Sequence, residues 1–517
     1  MSRIGIDVGG TNTDAVLIGS GGVRAAVKTG TTPDIAGGIQ TALARLLEQP
    51  GATTDDAIDA VMIGTTHFVN AVVQRRELCP VGALRIGLPA SASLPPFSDW
   101  PDDLVPLVRG QVHMVEGGHE YDGRRIVALD RDAIRRAARD MASAGLRHIA
   151  VSAVFSPLVA DDELEAERIL AEEIPDVSVT LSHRLGRIGL LERENVALLN
   201  ATLQPLARRT IDAFIAALRA SGIAAPLFLT RNDGTVAHAA GVYAVPVYCF
   251  ASGPTNSMRG AAFLSGMADA MVVDVGGTTS DFGTLRAGFP REANAAVEIG
   301  GVRTLFRMPE LLSIGLGGGS IVSDDGTAIG PQSLGFRLLQ EGRIFGGTTL
   351  SATDVAVAAG RVSLGDATRV ADLSPGLLHR AQARMAAMLA EAIDRTKSEA
   401  GDVTLVAVGG GAFLVPDRID GVHQIVRVPH HAVANAVGAA IAQISGEVDR
   451  IFTGVTRDTA IDTALTMARD QAVADGAAPA TLETVEIEDI PLTYIPGDAR
   501  RVRVRVVGDI SHPPAAT

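Results

Sequence analysis

Two short segments of the 517-residue chain carry the same chemistry. Residues 4–18 read IGIDVGGTNTDAVLI and residues 272–285 read VVDVGGTTSDFGTL. Each is an apolar run ending in Asp, then Val-Gly-Gly-Thr, two small polar residues, a second Asp and a second largely apolar run. A strand, a tight glycine turn and a returning strand predict a β-hairpin with a polar tip. Gly9, Gly10, Gly276 and Gly277 let the backbone approach a ligand, so that successive N–H groups can point at phosphate oxygens. Thr11, Thr13, Thr278 and Thr279 add hydroxyl donors, with Asn12 at the first tip. Asp7 and Asp274, at the strand ends, suit Mg²⁺ held through water, because a hard cation on nucleotide phosphates takes oxygen ligands and keeps part of its hydration shell. Asp14 and Asp281, on the returning strands, are placed to orient water or a substrate group. Two ordinary hairpins are the bland alternative, and the duplication with its trailing Asp weighs against it.

Two further glycine runs stand apart from the hairpins. Residues 405–416 read LVAVGGGAFLVP, a buried-type strand followed by Gly409, Gly410 and Gly411, against which an adenine and ribose could lie flat. Residues 313–322 read SIGLGGGSIV, where Gly317, Gly318 and Gly319 suit phosphate or substrate contact or, equally, a close-packed strand crossing. Glu310, just ahead of that run, is kept as a candidate substrate residue. Lys28 and Lys397 are the chain's two lysines, and neither follows a glycine-rich loop, which excludes a P-loop NTPase. Backbone amides rather than ammonium groups are therefore expected to hold the phosphates. The order of phosphate hairpin, second phosphate hairpin, glycine-rich adenosine loop and a small-residue helix over 430–445 resembles the actin, sugar-kinase and heat-shock-chaperone ATPase superfamily. That resemblance implies two α/β lobes with ATP between them, an actin-like fold with duplicated ribonuclease-H-like domains.

The elements that must position these groups follow from pattern and composition. Alternating strand-like and helix-like segments indicate α/β architecture. Residues 1–185 read as a first lobe, 186–450 as a helical connector and second lobe, and 451–517 as a helix with two β-like segments that is an appendage or returns to the first lobe. Glycine is in excess, 56 against the roughly 36 of average usage, and much of the surplus lies in the loops just named. A net charge of −14 argues against nucleic-acid binding, which needs clustered Lys and Arg. Cys79 and Cys249 form neither a disulfide framework nor a metal cluster. With no signal-like N-terminus and no apolar run near membrane length, a cytoplasmic protein that meets no membrane is expected.

Other polar groups carry two readings each. His67 and Asn70 fall one turn apart at a helix start and would contact substrate or simply cap and pack. Glu192, Arg193, Glu194 and Asn195 open a long helix, where solvated charges are the default and a substrate or lobe-connecting role the alternative. Asp233, in an Asn-Asp-Gly turn after a strand, is kept as a candidate substrate residue. His430 and His431 have no neighbouring ligands for a metal, so capping is expected. The acidic stretch 161–173 reads as a solvated helix face.

Together these segments resemble the hydantoinase A and 5-oxoprolinase family. The match also takes in GTTHFVNAVVQRR at 64–76, LSHRLGRIGLLERENVALLNATLQP at 181–205, ASGPTNSMRGAAFLSG at 251–266, GPQSLG at 330–335 and PLTYIPGDARRVRVRVVGDI at 491–510. The resemblance implies ATP- and Mg²⁺-dependent opening of a cyclic amide such as a hydantoin, 5-oxoproline or a lactam. In that chemistry the carbonyl oxygen is phosphorylated and water then attacks the activated carbon, often with a hydantoinase B-like second subunit; an oligomeric assembly is expected. Two departures fall near the presumed substrate pocket: FRLLQEGRIFGG at 336–347 replaces a Pro-Gly-Pro run, and Leu312 stands where many relatives carry His. Within the resemblance, a carboxylase-type subunit that phosphorylates a ketone or bicarbonate is an alternative. Outside it, the alternative is a non-enzymatic ATP-driven switch or reactivating subunit.

Overall fold

The computed structural model describes residues 2–10, 12–30, 35–52, 57–186, 188–293, 296–305, 308–495 and 497–511. Its first hairpin pairs Arg3–Val8 with Asn12–Gly19, and Gly22–Gly30 adds a third antiparallel strand. On its other side Arg3–Val8 runs parallel to Ala60–Thr65, which runs parallel to Leu227–Thr230. Arg3–Val8 is buried along its whole length, Ile4, Ile6 and Val8 alternating with Arg3, Gly5 and Asp7.

The second hairpin rebuilds the same order. Ala270–Val275 pairs antiparallel with Ser280–Arg286, which in turn takes Phe289–Pro290 and Leu311–Ile314 as antiparallel neighbours. Beyond Ala270–Val275 come two parallel strands, Val403–Val408 and Val422–Arg427. In both sheets the hairpin has antiparallel extension on one side and two parallel strands on the other. This is the duplicated ribonuclease-H-like arrangement expected from the sequence, with a large apolar core against each sheet.

Sheet membership divides the chain differently from cuts near 185 and 450. The first sheet grows to nine strands by adding Val236–His238, Ile444–Phe452, Arg500–Gly508 and Glu483–Pro491 beyond Leu227–Thr230. The C-terminal strands thus return to the first lobe, and helix Arg457–Ala474 packs its alanines, Ala460, Ala464 and Ala468, on them. A separate parallel sheet, ordered Arg109–Glu116, Val81–Leu88, His148–Ala153 and Ser178–Leu181, lies beside the first lobe.

Helix Leu190–Ala220 joins that small sheet to the rest of the molecule, and here the solvated-charge expectation fails. Arg193, Glu194 and Asn195 are buried. Glu194 takes both arms of the Arg85 guanidinium and the Ser152 hydroxyl, while Arg193 donates to the Ala153 carbonyl at 2.6 Å. Asn195 donates to the Arg303 carbonyl at 2.9 Å. The charges are paired because the small sheet closes over the helix start and leaves no water to solvate them. For the same reason Asp162 and Glu163, at the start of the acidic helix Asp161–Glu173, are buried rather than solvated.

Two helices cross where the lobes meet. Ser252–Ser265 and Ala434–Ala440 approach so closely that a Cβ on Gly438 would lie 1.8 Å from the Asn256 carbonyl oxygen, and one on Gly260 1.9 Å from that of Ala434. The second helix is shorter than the expected 430–445. A 3₁₀ turn covers His431–Val433, the α-helix ends at Ala440, and Ile444 already belongs to a strand. Among the described residues no helix is long and apolar enough to cross a membrane.

Candidate active site

The two hairpins face one cavity of about 620 Å³ between the lobes. Within each hairpin the two aspartates are directly opposite in register, Asp7 with Asp14 and Asp274 with Asp281. Cross-strand partners project on the same side of a sheet, so the D-V-G-G-T-x-x-D spacing puts both carboxylates of each hairpin on one face. All four line the cavity, together with Gly9, Gly10, Asn12, Gly276, Gly277, Gly318, Gly409, Gly410 and Gly411. Thr11 lies outside the described residues. Thr13 is buried, and Thr278 and Thr279 are exposed at the second tip.

Each carboxylate has one or two fixed partners. Asn435 donates to Asp7 Oδ2 at 2.9 Å, and Lys28 Nζ lies 2.6 Å from Asp14 Oδ2. The hydroxyls of Ser257 and Ser313 donate to Asp274 and Asp281. The inner oxygens of the first pair, Asp7 Oδ1 and Asp14 Oδ1, are buried without a partner among the described residues. Burial pushes the Asp7 carboxyl up to about 7, and the charge of Asp14 pushes the same way. Burial likewise raises Asp14 and Asp274, and takes Asp281 to about 6. Four crowded, desolvated carboxylates, two of them with an orphan oxygen, make a site that gains from added positive charge. The donor set is all oxygen, as Mg²⁺ prefers. Among the described residues no three acidic, His or Cys side chains converge as a direct ligand set, so the fit is to a cation held through its own waters.

Backbone amides are divided between structure and cavity. Gly9 and Gly276 donate back across their own turns, to Asn12 at 3.0 Å and Thr279 at 2.9 Å. The run Gly317, Gly318 and Gly319 is clamped onto the second tip. Its amides donate to the Ser320 hydroxyl at 2.8 Å, to the Gly276 carbonyl at 3.0 Å and to the Gly277 carbonyl at 2.7 Å. It is a close-packed crossing whose donors are spent, although Gly318 still borders the cavity. Gly409 adopts φ +90°, and a Cβ there would lie 2.2 Å from Asp274 Oδ1. His431 braces this loop, its carbonyl accepting from Gly409 N–H at 2.9 Å and its Nδ1 lying 3.1 Å from the Gly409 oxygen.

The remaining candidates lie elsewhere. His67 and Asn70 share helix His67–Val73 as expected, but neither lines the cavity; Asn70 donates to Thr66 Oγ1 at 3.1 Å. Glu310 is paired with Arg291 at 3.1 Å, outside the cavity. Asp233 borders a second hollow with Arg231 and Tyr248, and is paired with Arg505 at 3.5 Å. Three groups at the site escaped sequence reasoning: Lys28, Asn435 and the helix start at Gly253, Pro254 and Ser257. Lys28, one of the two lysines, borders the cavity from the third strand of the first sheet and places an ammonium group beside the hairpins.

Comparison with known proteins agrees with this architecture. The description "Hydantoinase/oxoprolinase N-terminal region" matches residues 3–174, and "Hydantoinase/oxoprolinase" matches residues 193–368. Among curated relatives, the acetophenone carboxylase gamma subunit of Aromatoleum aromaticum is 28% identical over 70% of this chain and 54% of its own. The caprolactamase subunit alpha of Pseudomonas jessenii is 26% identical over 64% of this chain and 51% of its own. The chain spans about half the length of these relatives. The crystal structure of ATP-dependent caprolactamase from Pseudomonas jessenii shares the fold, with a TM-score of 0.78 at 20% identity over 99% of this chain and 88% of that one. With both halves matched in order and the duplicated hairpins facing one cleft, this chain belongs to the hydantoinase/oxoprolinase family.

Proposed function

We propose that the chain is the ATP-binding, amide-activating part of an ATP- and Mg²⁺-dependent enzyme that opens a cyclic amide. The observation that carries this reading is the pair of register-matched hairpins, which turn Asp7, Asp14, Asp274 and Asp281 into a single cavity. The caprolactamase relative supports the choice of a lactam-like substrate.

An amide carbon is a poor electrophile, and phosphorylating its oxygen makes it a good one. Phosphoryl transfer asks a protein mainly for positioning and charge neutralisation. The hairpin tips would cradle the β- and γ-phosphates, with Gly10 and Gly277 presenting backbone and Lys28 adding a positive charge. The loop Gly409, Gly410 and Gly411 would carry the adenosine. Asp7 and Asp274 would hold Mg²⁺ through its waters, and the cation would neutralise phosphate charge. Asp14 and Asp281 would orient the acceptor or its water. A second subunit completing hydrolysis fits the naming of both curated relatives as subunits.

The acetophenone carboxylase relative favours one second reading, in which the same cleft activates a ketone or bicarbonate by phosphorylation. ADP release measured against hydantoin, 5-oxoproline and a lactam series, and separately against ketones with bicarbonate, tests both. Stimulation by a cyclic amide supports the first reading, and stimulation that requires bicarbonate supports the second.

A further inference from the structure

The second hollow, of about 680 Å³, shares no lining residue with the ATP cleft. Arg231, directly after strand Leu227–Thr230, lines it together with Tyr248, the guanidinium carbon standing 4.9 Å from the tyrosine ring centroid. Stacking of this kind fixes the plane of the guanidinium. Its one side-chain hydrogen bond among the described residues runs from Nη1 to Ser445 Oγ at 3.4 Å, and it forms no ion pair there. Two acids around the hollow are already committed. Asp233 accepts from the Thr235 hydroxyl at 2.6 Å and is paired with Arg505 at 3.5 Å, and Asp449 accepts from Arg501 Nε at 2.6 Å. The Nε–Nη2 edge of Arg231 is therefore an open fork of two donors, the shape that matches the two oxygens of a carboxylate.

The same hollow holds an oriented imidazole. His183, in the 3₁₀ turn Ser182–Arg184, lines it, with Nδ1 2.7 Å from Glu163 Oε2. Glu163 is fully buried and also accepts from the Ala153 N–H at 2.9 Å, the Ser182 hydroxyl at 2.6 Å and the His183 N–H at 3.1 Å. Burial alone would raise its carboxyl, but His183 and Arg193 outweigh that and hold it below the ordinary value. A carboxylate only accepts, so Nδ1 carries a proton, and in the neutral ring Nε2 keeps its lone pair. Nε2 has no partner among the described residues. Tyr248 ties the two groups together: its ring lies under Arg231, and its hydroxyl donates at 3.1 Å to the carbonyl of Arg184, the residue after His183.

A two-donor fork and a lone acceptor select a ligand that carries a carboxylate and a nitrogen with a proton to give. Glu447 also lines the hollow, and its charge favours a ligand with a single carboxylate over a dianion. We propose that this hollow binds an amino- or amido-carboxylate, Arg231 taking the carboxylate and His183 Nε2 accepting from the nitrogen. The hollow and the cleft meet at one helix start. Asn232, in the wall of the hollow, accepts from the Ala251 N–H at 2.7 Å and from the Thr255 hydroxyl at 3.0 Å, whereas Gly253, Pro254 and Ser257 of the same turn line the cleft. Binding here stands apart from the amide-activating reading of the cleft; the source of the ligand rests on it. That source is either a cyclic amide with its own carboxylate, or the open-chain amino acid left when water breaks the ring C–N bond and gives a carboxylate and an amine.

Calorimetry on the full chain without nucleotide tests the site. The probes are 5-oxoproline, a cyclic amide with a carboxylate, and 6-aminohexanoate, an opened lactam; hexanoate lacks the nitrogen and caprolactam lacks the carboxylate. At least one of the first two is expected to bind with a Kd below about 1 mM, and hexanoate and caprolactam about 10-fold more weakly or worse. Arg231→Met is expected to weaken that binding about 10-fold or more, and Arg231→Lys, which keeps the charge without the fork, about 3-fold or more. His183→Asn, whose amide can still donate to Glu163, is expected to bring the nitrogen-bearing ligand down to the affinity of hexanoate. Tighter binding of 5-oxoproline makes the ligand a carboxylate-bearing substrate, tighter binding of 6-aminohexanoate makes it the opened product, and equal binding admits both. No binding of either up to about 10 mM, hexanoate binding as well as 6-aminohexanoate, or an unchanged Kd in the Arg231 variants overturns the site. Carboxylate binding that depends on Arg231 in a chain that fails to bind Mg·ATP overturns the reading of the cleft and leaves the hollow standing.

Discussion

Lys28 Nζ lies 2.6 Å from Asp14 Oδ2, across adjacent strands of the first sheet and inside the cleft. The ammonium group is one-third exposed while the carboxylate is almost wholly buried, so Lys28 is the side that can turn toward a ligand. Lys28→Met should raise the Kd for Mg·ATP about 10-fold, read by calorimetry. It should also cost about 1–3 kcal/mol of stability, because Asp14 stays buried without its partner.

Gly409 has no room for a side chain. Its φ of +90° disfavours other residues, and a Cβ would collide with Asp274 Oδ1 at 2.2 Å and the Val275 carbonyl at 2.4 Å. Gly409→Ala should therefore displace Asp274 and cost roughly 1–3 kcal/mol for the strained backbone alone. The expected readout is lost Mg·ATP binding together with a lowered thermal midpoint. The contrasting control is Gly410→Ala, where a Cβ meets nothing nearer than Lys28 Cε at 4.0 Å and stability should be nearly unchanged.

The helix crossing between the lobes makes a similar demand. With a Cβ on Gly438 only 1.8 Å from the Asn256 carbonyl, Gly438→Ala must push helices Ser252–Ser265 and Ala434–Ala440 apart. The first helix carries Ser257 to Asp274 and the second carries Asn435 to Asp7. Overpacking of this kind costs about 1–3 kcal/mol. Turnover should fall more than the loss of folded protein explains, which activity normalised to folded fraction by circular dichroism would measure.

The hairpins were legible because their chemistry is local: strand, glycine turn and paired Asp fall within one short segment, and the segment occurs twice. Their partners were not. Asn435, Ser257 and Lys28 reach the carboxylates from separate elements, brought in by a helix crossing and a third strand that no spacing along the chain encodes. The solvated reading of residues 193–195 failed for a related reason. Charges at a helix start are solvated unless something covers them, and the cover is a parallel sheet from a distant stretch of sequence. The run at 313–322 carried two open readings, and the amides of Gly318 and Gly319, spent on the Gly276 and Gly277 carbonyls, favour the close-packed crossing.

Acid stability should report the buried pair of Asp233 and Arg505. Burial alone would raise the Asp233 carboxyl, but the Arg231 and Arg505 guanidiniums and the Thr235 hydroxyl outweigh it and hold it at about 2. The folded value lies below the ordinary 3.8, so the stabilisation is fully present above about pH 4 and is lost as the pH falls toward 2. It amounts to roughly 2 kcal/mol. In denaturant titrations Asp233→Asn should be less stable than the parent at pH 6, and the gap should narrow by about that amount as the pH falls from 4 to 2.

The central claim is that the paired hairpins hold Mg·ATP for transfer to a cyclic amide. Single-turnover ADP formation, followed with and without lactams, hydantoin and 5-oxoproline in the parent and in Asp274→Asn, tests it most directly. The account predicts that at least one cyclic amide accelerates ADP formation, and that Asp274→Asn lowers that rate about 100-fold or more while the protein stays folded. Tight Mg·ATP binding with no acceleration by any cyclic amide, or an Asp274→Asn protein that turns over at the parental rate, would contradict it.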